Sequence, residues 1–197
     1  MSPKEIKRTQ ERVGTEPDGF WGPLSIRACQ AHLRQLDASG DLWPAQSGVE
    51  AFYGPHGEED GYTPPLESVS LPFPVYYGDS KRWSLKAHEK CAESLERVFG
   101  NIAEMFPTEE ERRETGIIHW DGIYSPRKMR GGGSWSMHAY AIATDHDAAR
   151  NRNQSHWPNR SHMPVEIMEC FAMEGWTSAG AFWSRDSMHF QATKMPL

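Results

Sequence analysis

The chain is short of cysteine, of positive charge and of long apolar runs. Its three cysteines, Cys29, Cys91 and Cys170, lie far apart with no C-x-x-C pair. They read as reduced, mostly buried thiols in a chain made in a reducing compartment. Lys and Arg total 21 against 27 Asp and Glu, a net charge of −6. That balance argues against a nucleic-acid partner. No apolar stretch approaches the roughly 20 residues that cross a bilayer, so no membrane partner is expected. The opening Met1-Ser2-Pro3-Lys4-Glu5 lacks the apolar segment of a signal peptide. There is no G-x-S-x-G elbow, and the cysteines have no nucleophile context, which disfavours serine or cysteine catalysis. The glycine run Gly131-Gly132-Gly133 is not a phosphate loop, because G-x-x-x-x-G-K-[ST] is missing.

What is present is enough for a core: 38% hydrophobic residues, with eight Trp. The chain has room for one medium domain and a small appendage. Its chemistry concentrates in Ser136-Met137-His138-Ala139-Tyr140-Ala141-Ile142-Ala143-Thr144-Asp145 and, further on, Asp186-Ser187-Met188-His189-Phe190. His138, Asp145 and His189 would form a three-ligand zinc site whose fourth position stays open, as a catalytic zinc requires. Asp186, three residues before His189, can then serve as a general base. In one straight strand His138 and Asp145 would stand roughly 23 Å apart on opposite faces. The chain must therefore bend, most plausibly at Tyr140-Ala141, and return as a strand through Ile142-Ala143-Thr144. His189 must come from a neighbouring strand or turn.

The paired motifs resemble those of zinc peptidases that cut peptidoglycan stem peptides. These include D-Ala-D-Ala carboxypeptidases, VanY-type enzymes and phage L-alanyl-D-glutamate endopeptidases. The resemblance covers roughly residues 66–193. It implies one zinc per chain held by His138, Asp145 and His189, with Asp186 as the catalytic carboxylate. It also implies a substrate-facing arginine at Arg127, with Arg130 as the alternative. Ser136, Tyr140 and Trp183 are candidates to shape the substrate cleft, with Trp135 beside them. Ala141 departs from the family pattern, which has glycine there.

The N-terminus predicts two helices. Ser2 and Pro3 start a helix over 3–13. Asp18-Gly19-Phe20-Trp21-Gly22-Pro23 then turns into a second, with Ile26, Cys29, Leu33 and Leu36 as its apolar stripe. This resembles half of a peptidoglycan-binding module, with a helical hairpin packed on the main domain as the other reading. Residues 38–65, rich in Gly, Pro and acidic residues, predict a linker pinned by Trp43 and Tyr53. The expected division is 1–37, a wall-binding-like module; 38–65, the linker; and 66–197, the peptidase domain. Within the last, an extended segment over 71–77, a helix over 84–106, a strand and turn near 116–124, a polar loop over 147–153 and a helix over 164–175 are expected. His146 should point away from Asp145 on a strand and is not a candidate ligand.

The fold class expected is α+β, a small, mainly antiparallel sheet with flanking helices that carries the zinc site. The function expected is zinc-dependent hydrolysis of a peptidoglycan stem peptide, most simply as an L-alanyl-D-glutamate endopeptidase of the endolysin kind. D-Ala-D-Ala carboxypeptidase is the alternative, and a catalytically inactive zinc-containing wall-binding protein the third reading. The partner is bacterial peptidoglycan and the chain is expected to be a monomer. Synthesis in the cytoplasm and action on the wall, after release by phage lysis or by non-classical export, follow from the missing signal peptide.

Overall fold

A computed structural model describes residues 1–40 and 42–197; Asp41, inside the 38–65 tract, lies outside the described residues. The fold is α+β, with two small antiparallel sheets. Helices α1 (Pro3–Arg12) and α2 (Pro23–Leu36) form the N-terminal pair. Ser2 and Glu5 cap α1 reciprocally, side chain to backbone in both directions. Between the helices, Gln10 closes the turn: its amide donates to Asp18 and its carbonyl oxygen accepts from the Gly19 N–H, at 2.8 Å each.

The pair rests on helix α6 (Val165–Ala172) through a buried carboxylate. Glu169 accepts two hydrogen bonds from the Arg12 guanidinium, at 2.7 and 2.6 Å, and lies 2.7 Å from His32 Nε2. The apolar residues Ile6, Trp21, Cys29 and Leu33 join the same buried cluster as Phe171 and Trp157. Arg12→Ala should lower stability by about 2 kcal/mol. That is less than the penalty for breaking a fully buried pair, since Arg12 is 39% exposed. Urea unfolding with an unchanged m-value would measure it.

Residues 42–65 contain a 3₁₀ turn at Gln46–Gly48 and helix α3 (Val49–Tyr53). Trp43 donates its indole N–H to the Glu174 carbonyl at 2.7 Å, and the Tyr53 hydroxyl donates to the Ala192 carbonyl at 2.8 Å. Both rings are buried in the core, so this stretch is tied down at the two aromatics the composition singled out.

Strands β1 (Leu66–Tyr77) and β2 (Ser80–His88) pair as a hairpin. Here the helix expected from residue 84 is corrected: residues 84–88 are strand, and helix α4 runs Glu89–Met105. The reason is visible in the burial pattern. Leu85 and Ala87 are buried while Ser84 and Lys86 are exposed, a period of two that pairs with Leu66–Ser70. His88 ends the strand and caps the helix, its Nδ1 accepting from the Lys90 N–H at 3.2 Å while Nε2 donates to the Tyr53 carbonyl at 2.9 Å. The cap bond needs the neutral ring, because a protonated Nδ1 has no lone pair to accept with. Burial lowers the His88 pKa below its ordinary value. Its contribution to stability is complete above about pH 6.5, the unfolded-state value, and is lost as pH falls towards the lowered one. The urea midpoint should drop between pH 7.5 and pH 5.5, and less steeply in His88→Gln.

The charged residues Glu109-Glu110-Glu111-Arg112-Arg113-Glu114 lie in a short, largely exposed helix, α5 (Glu109–Thr115), and the chain then enters the second sheet. Its strands are β3 (Trp120–Gly122), β4 (Ala143–His146), β5 (Thr177–Ser178) and β6 (His189–Gln191), in the order β3-β4-β6-β5. Helix α7 (Ala179–Trp183) leads towards β6. Helix α4 packs on β1 and α6, with Leu95, Val98, Phe99 and Ile102 fully buried. The second sheet carries the candidate site. Among the described residues no helix is long and apolar enough to cross a membrane.

Candidate metal centre

His138 lies in a single 3₁₀ turn, Met137–Tyr140, entered through Ser136, whose hydroxyl accepts from the His138 N–H at 3.4 Å. The turn ends at Ala141 in the left-handed region, φ 58°. An alanine there carries a strain that glycine would avoid, and it takes the conformation nonetheless. The bend returns the chain as β4, where Asp145 stands opposite His189 of β6 in the antiparallel register. Directly opposed residues project from the same face of a sheet. The seven-residue separation of His138 and Asp145 is thus closed by one turn, and the distance to His189 by one register.

The three side chains converge. His138 Nε2 lies 3.2 Å from His189 Nδ1 and 3.2 Å from Asp145 Oδ1, and His189 Nδ1 lies 3.0 Å from the same oxygen. Ligand atoms about 2.0–2.1 Å from a tetrahedral zinc stand about 3.3 Å from one another. These separations are the edges of such a tetrahedron. The tautomers agree: His138 Nδ1 donates to the Ile123 carbonyl at 2.7 Å, and His189 Nε2 donates to Gln191 Oε1 at 3.1 Å. Each ring therefore aims a lone pair at the other and at a carboxylate, an arrangement that requires positive charge at its centre. When the rings are protonated instead, the same nitrogens donate to Asp145, and the pKa directions describe that state. Burial opposes ionisation of Asp145, but the hydrogen bonds from the two imidazoles outweigh it and hold its carboxyl far below the usual range. Burial also opposes a charged His189, and the Asp145 carboxylate outweighs that too, raising the ring's pKa. The donor set fits a zinc ion, and neutral imidazoles with outer hydrogen bonds are how histidines bind one.

Asp186 stands beside this group. Its backbone is in the left-handed region, φ 58°, and one carboxylate oxygen is buried without a hydrogen-bond partner. Burial raises its pKa above the ordinary carboxylate value; the His189 charge offsets part of this and the Asp145 charge adds to it. The turn is held from outside: Ser187 Oγ donates to Asn151 Oδ1 at 3.2 Å, and that oxygen also accepts the His162 and Met163 N–H groups. The 147–153 loop is therefore not merely polar surface, because Asp147 and Asn151 are buried within it. His146 points away from Asp145, as expected, and its Nδ1 lies 2.9 Å from the Ile117 carbonyl.

A cleft of about 740 Å³ opens at His138 and Asp145. Arg127 lines it. Trp183 is half-exposed, its ring 6.4 Å from that of His189. Arg130, Ser136 and Tyr140 do not line this cleft. Arg130 is exposed on the glycine-rich segment, Ser136 is buried as the cap of the 3₁₀ turn, and Tyr140 lies with Trp135 along a second cavity of about 290 Å³ beside Glu50. Gln191, Asn151 and the hairpin residues Arg82 and Lys86 escaped the motif reading. Gln191 alone left a trace, since it shares a strand face with His189 two residues earlier.

Residues 130–192 match the model of an M15 peptidase family described as D-alanyl-D-alanine carboxypeptidase. The matched stretch contains His138, Asp145, Asp186 and His189, and leaves out Arg127 and the hairpin. No curated protein and no solved structure matches the chain.

Proposed function

We propose that the protein is a zinc metallopeptidase that hydrolyses a peptide bond in peptidoglycan stem peptides. The observation that carries this reading is the set of tetrahedron-edge separations between His138, Asp145 and His189, lying within the family-matched stretch. A zinc ion held by these three residues supplies Lewis acidity, acidifying water and polarising a carbonyl. The remaining work falls to the chain. Asp186 takes the proton of the attacking water and passes it to the leaving amine; burial moves its pKa in the direction that suits a general base. Arg127, on the cleft wall, holds a substrate carboxylate or carbonyl through its planar donors. Gln191 and the Ile123 carbonyl keep the two imidazoles in the ligating tautomer. Trp183 stands over the His189 ring, 6.4 Å away, where it can meet a substrate side chain.

Within this class the bond between L-alanine and D-glutamate is the preferred target. The carboxypeptidase reading stands beside it because the matched family is described by that activity. The same reading places its action on the bacterial cell wall, with the chain working as a monomer. The N-terminal pair serves wall attachment, a role for which the exposed Phe20 and Leu24 are available. Incubation with defined muropeptides, with and without a chelator, is expected to yield products split between L-alanine and D-glutamate in the metal-replete sample alone. Loss of one terminal alanine would establish the carboxypeptidase reading instead, and unchanged cleavage under chelation would remove the metal from the reaction.

A further inference from the structure

The cleft carries more positive charge than the reaction uses. Arg82, Lys86 and Arg127 all line it. None of the three forms an ion pair among the described residues. The two carboxylates in the cleft are already engaged. Asp145 lies between His138 and His189, and Asp121 accepts the Ala148 N–H at 2.8 Å. Three uncompensated cations in one cleft run against the balance of a chain with net charge −6.

Two of them belong to one strand face. Arg82, Ser84 and Lys86 alternate along β2, and all three line the cleft. The strand has a direction relative to the metal centre. Its last residue, His88, donates its N–H to the Ala141 carbonyl at 2.9 Å, at the end of the turn that carries His138. Lys86 therefore lies towards the metal ligands and Arg82 towards the hairpin tip. Four residues of strand separate their Cα atoms by about 13 Å, a distance that about four residues of extended peptide also cover. Tyr77 and Trp120, 5.7 Å apart edge to face, line the same cleft and give it an apolar flank.

We propose that the outer face of β2 recognises an acidic peptide, with Lys86 taking a carboxylate near the scissile bond and Arg82 one further along the chain. This rests on the peptidase reading and extends it to the choice of substrate. Both residues lie outside the family-matched stretch, so they set the preference of this chain and not the shared chemistry.

The test uses the full chain and a stem-peptide analogue whose scissile amide is N-methylated against hydrolysis, in carboxylate and carboxamide forms. Calorimetric titration is expected to show the carboxylate form binding about tenfold more tightly, the size of one good charged contact. Raising the salt from low to high concentration should erase that preference. The double variant Arg82→Gln, Lys86→Gln should bind both forms alike, at the carboxamide level. In cleavage assays its loss should appear in KM far more than in kcat. Equal binding of the two forms by the parent, or a preference surviving in the double variant, would overturn the proposal. Binding is read without cleavage, so the two readings fail separately. A preference with no hydrolysis would sink the peptidase reading alone, and hydrolysis with no preference would sink this one.

Discussion

His189→Ala is expected to lose zinc and peptide cleavage together. Elemental analysis should fall from one zinc per chain to nearly none, and His138→Ala should behave the same way. The physical reason is that two of the three donors cannot hold the ion, and that Asp145, partly buried and facing both rings, loses a partner. The loss of affinity should exceed the 10–100-fold typical of outer-shell groups. Gln191→Ala supplies that comparison. It removes the acceptor that fixes the His189 tautomer, along with the buried bond from its amide to Thr193 Oγ1, and leaves all three donors in place, so metal binding should weaken by about 10–100-fold and recover in excess zinc. Full zinc occupancy in His189→Ala would rule out the ligand set.

Asp186 is expected to matter for the rate and not for the metal. Asn is the cleaner replacement, because it tolerates the left-handed backbone seen at this position. Asp186→Asn should keep its zinc content and melting behaviour while cleavage falls by roughly 10²–10⁴, the usual contribution of a positioned general base. Asp186→Ala should show the same fall in rate with a stability loss of about 1 kcal/mol from the strained backbone. The competing role is a carboxylate that merely orients His189. In that case the rate would return when zinc is added in excess, and such rescue would overturn the assignment. The buried, unpartnered oxygen of Asp186 argues for the base, since an orienting carboxylate would be expected to hold a ring N–H. His189 gives that N–H to Gln191 instead.

The candidate ligands were legible because their chemistry is local. Two histidines and an aspartate in paired motifs state which atoms can bind a metal, and the chain had to bend between His138 and Asp145, with Tyr140-Ala141 the expected place. The helices α1, α2 and α6 were legible for a similar reason: Ser2 and Pro3 start the first, a stripe at steps of three and four marks the second, and Pro164 and Gly175 bracket the third. The start of α4 was not, because Lys86 and Glu89 suit the polar face of a helix. Only the pairing of 84–88 with 66–70 makes that stretch a strand. Substrate-facing residues divided in the same way. Arg127 and Trp183 were named from their place in a motif and lie at the site, whereas Ser136 and Tyr140, named on the same grounds, are turned to other tasks by the 3₁₀ turn they occupy.

The sequence by itself determined the donor types, the helical segments and the need for a turn before Asp145. Tertiary structure alone decided the register that sets Asp145 opposite His189, the Asn151 contacts that hold the Asp186 turn, and the arrival of Arg82 and Lys86 on the cleft wall. The division has one physical cause. Propensity, capping and ligand chemistry act between neighbours along the chain. Register and cleft composition arise from contacts between segments some fifty residues apart, where a shift of one residue would send every side chain to the opposite face.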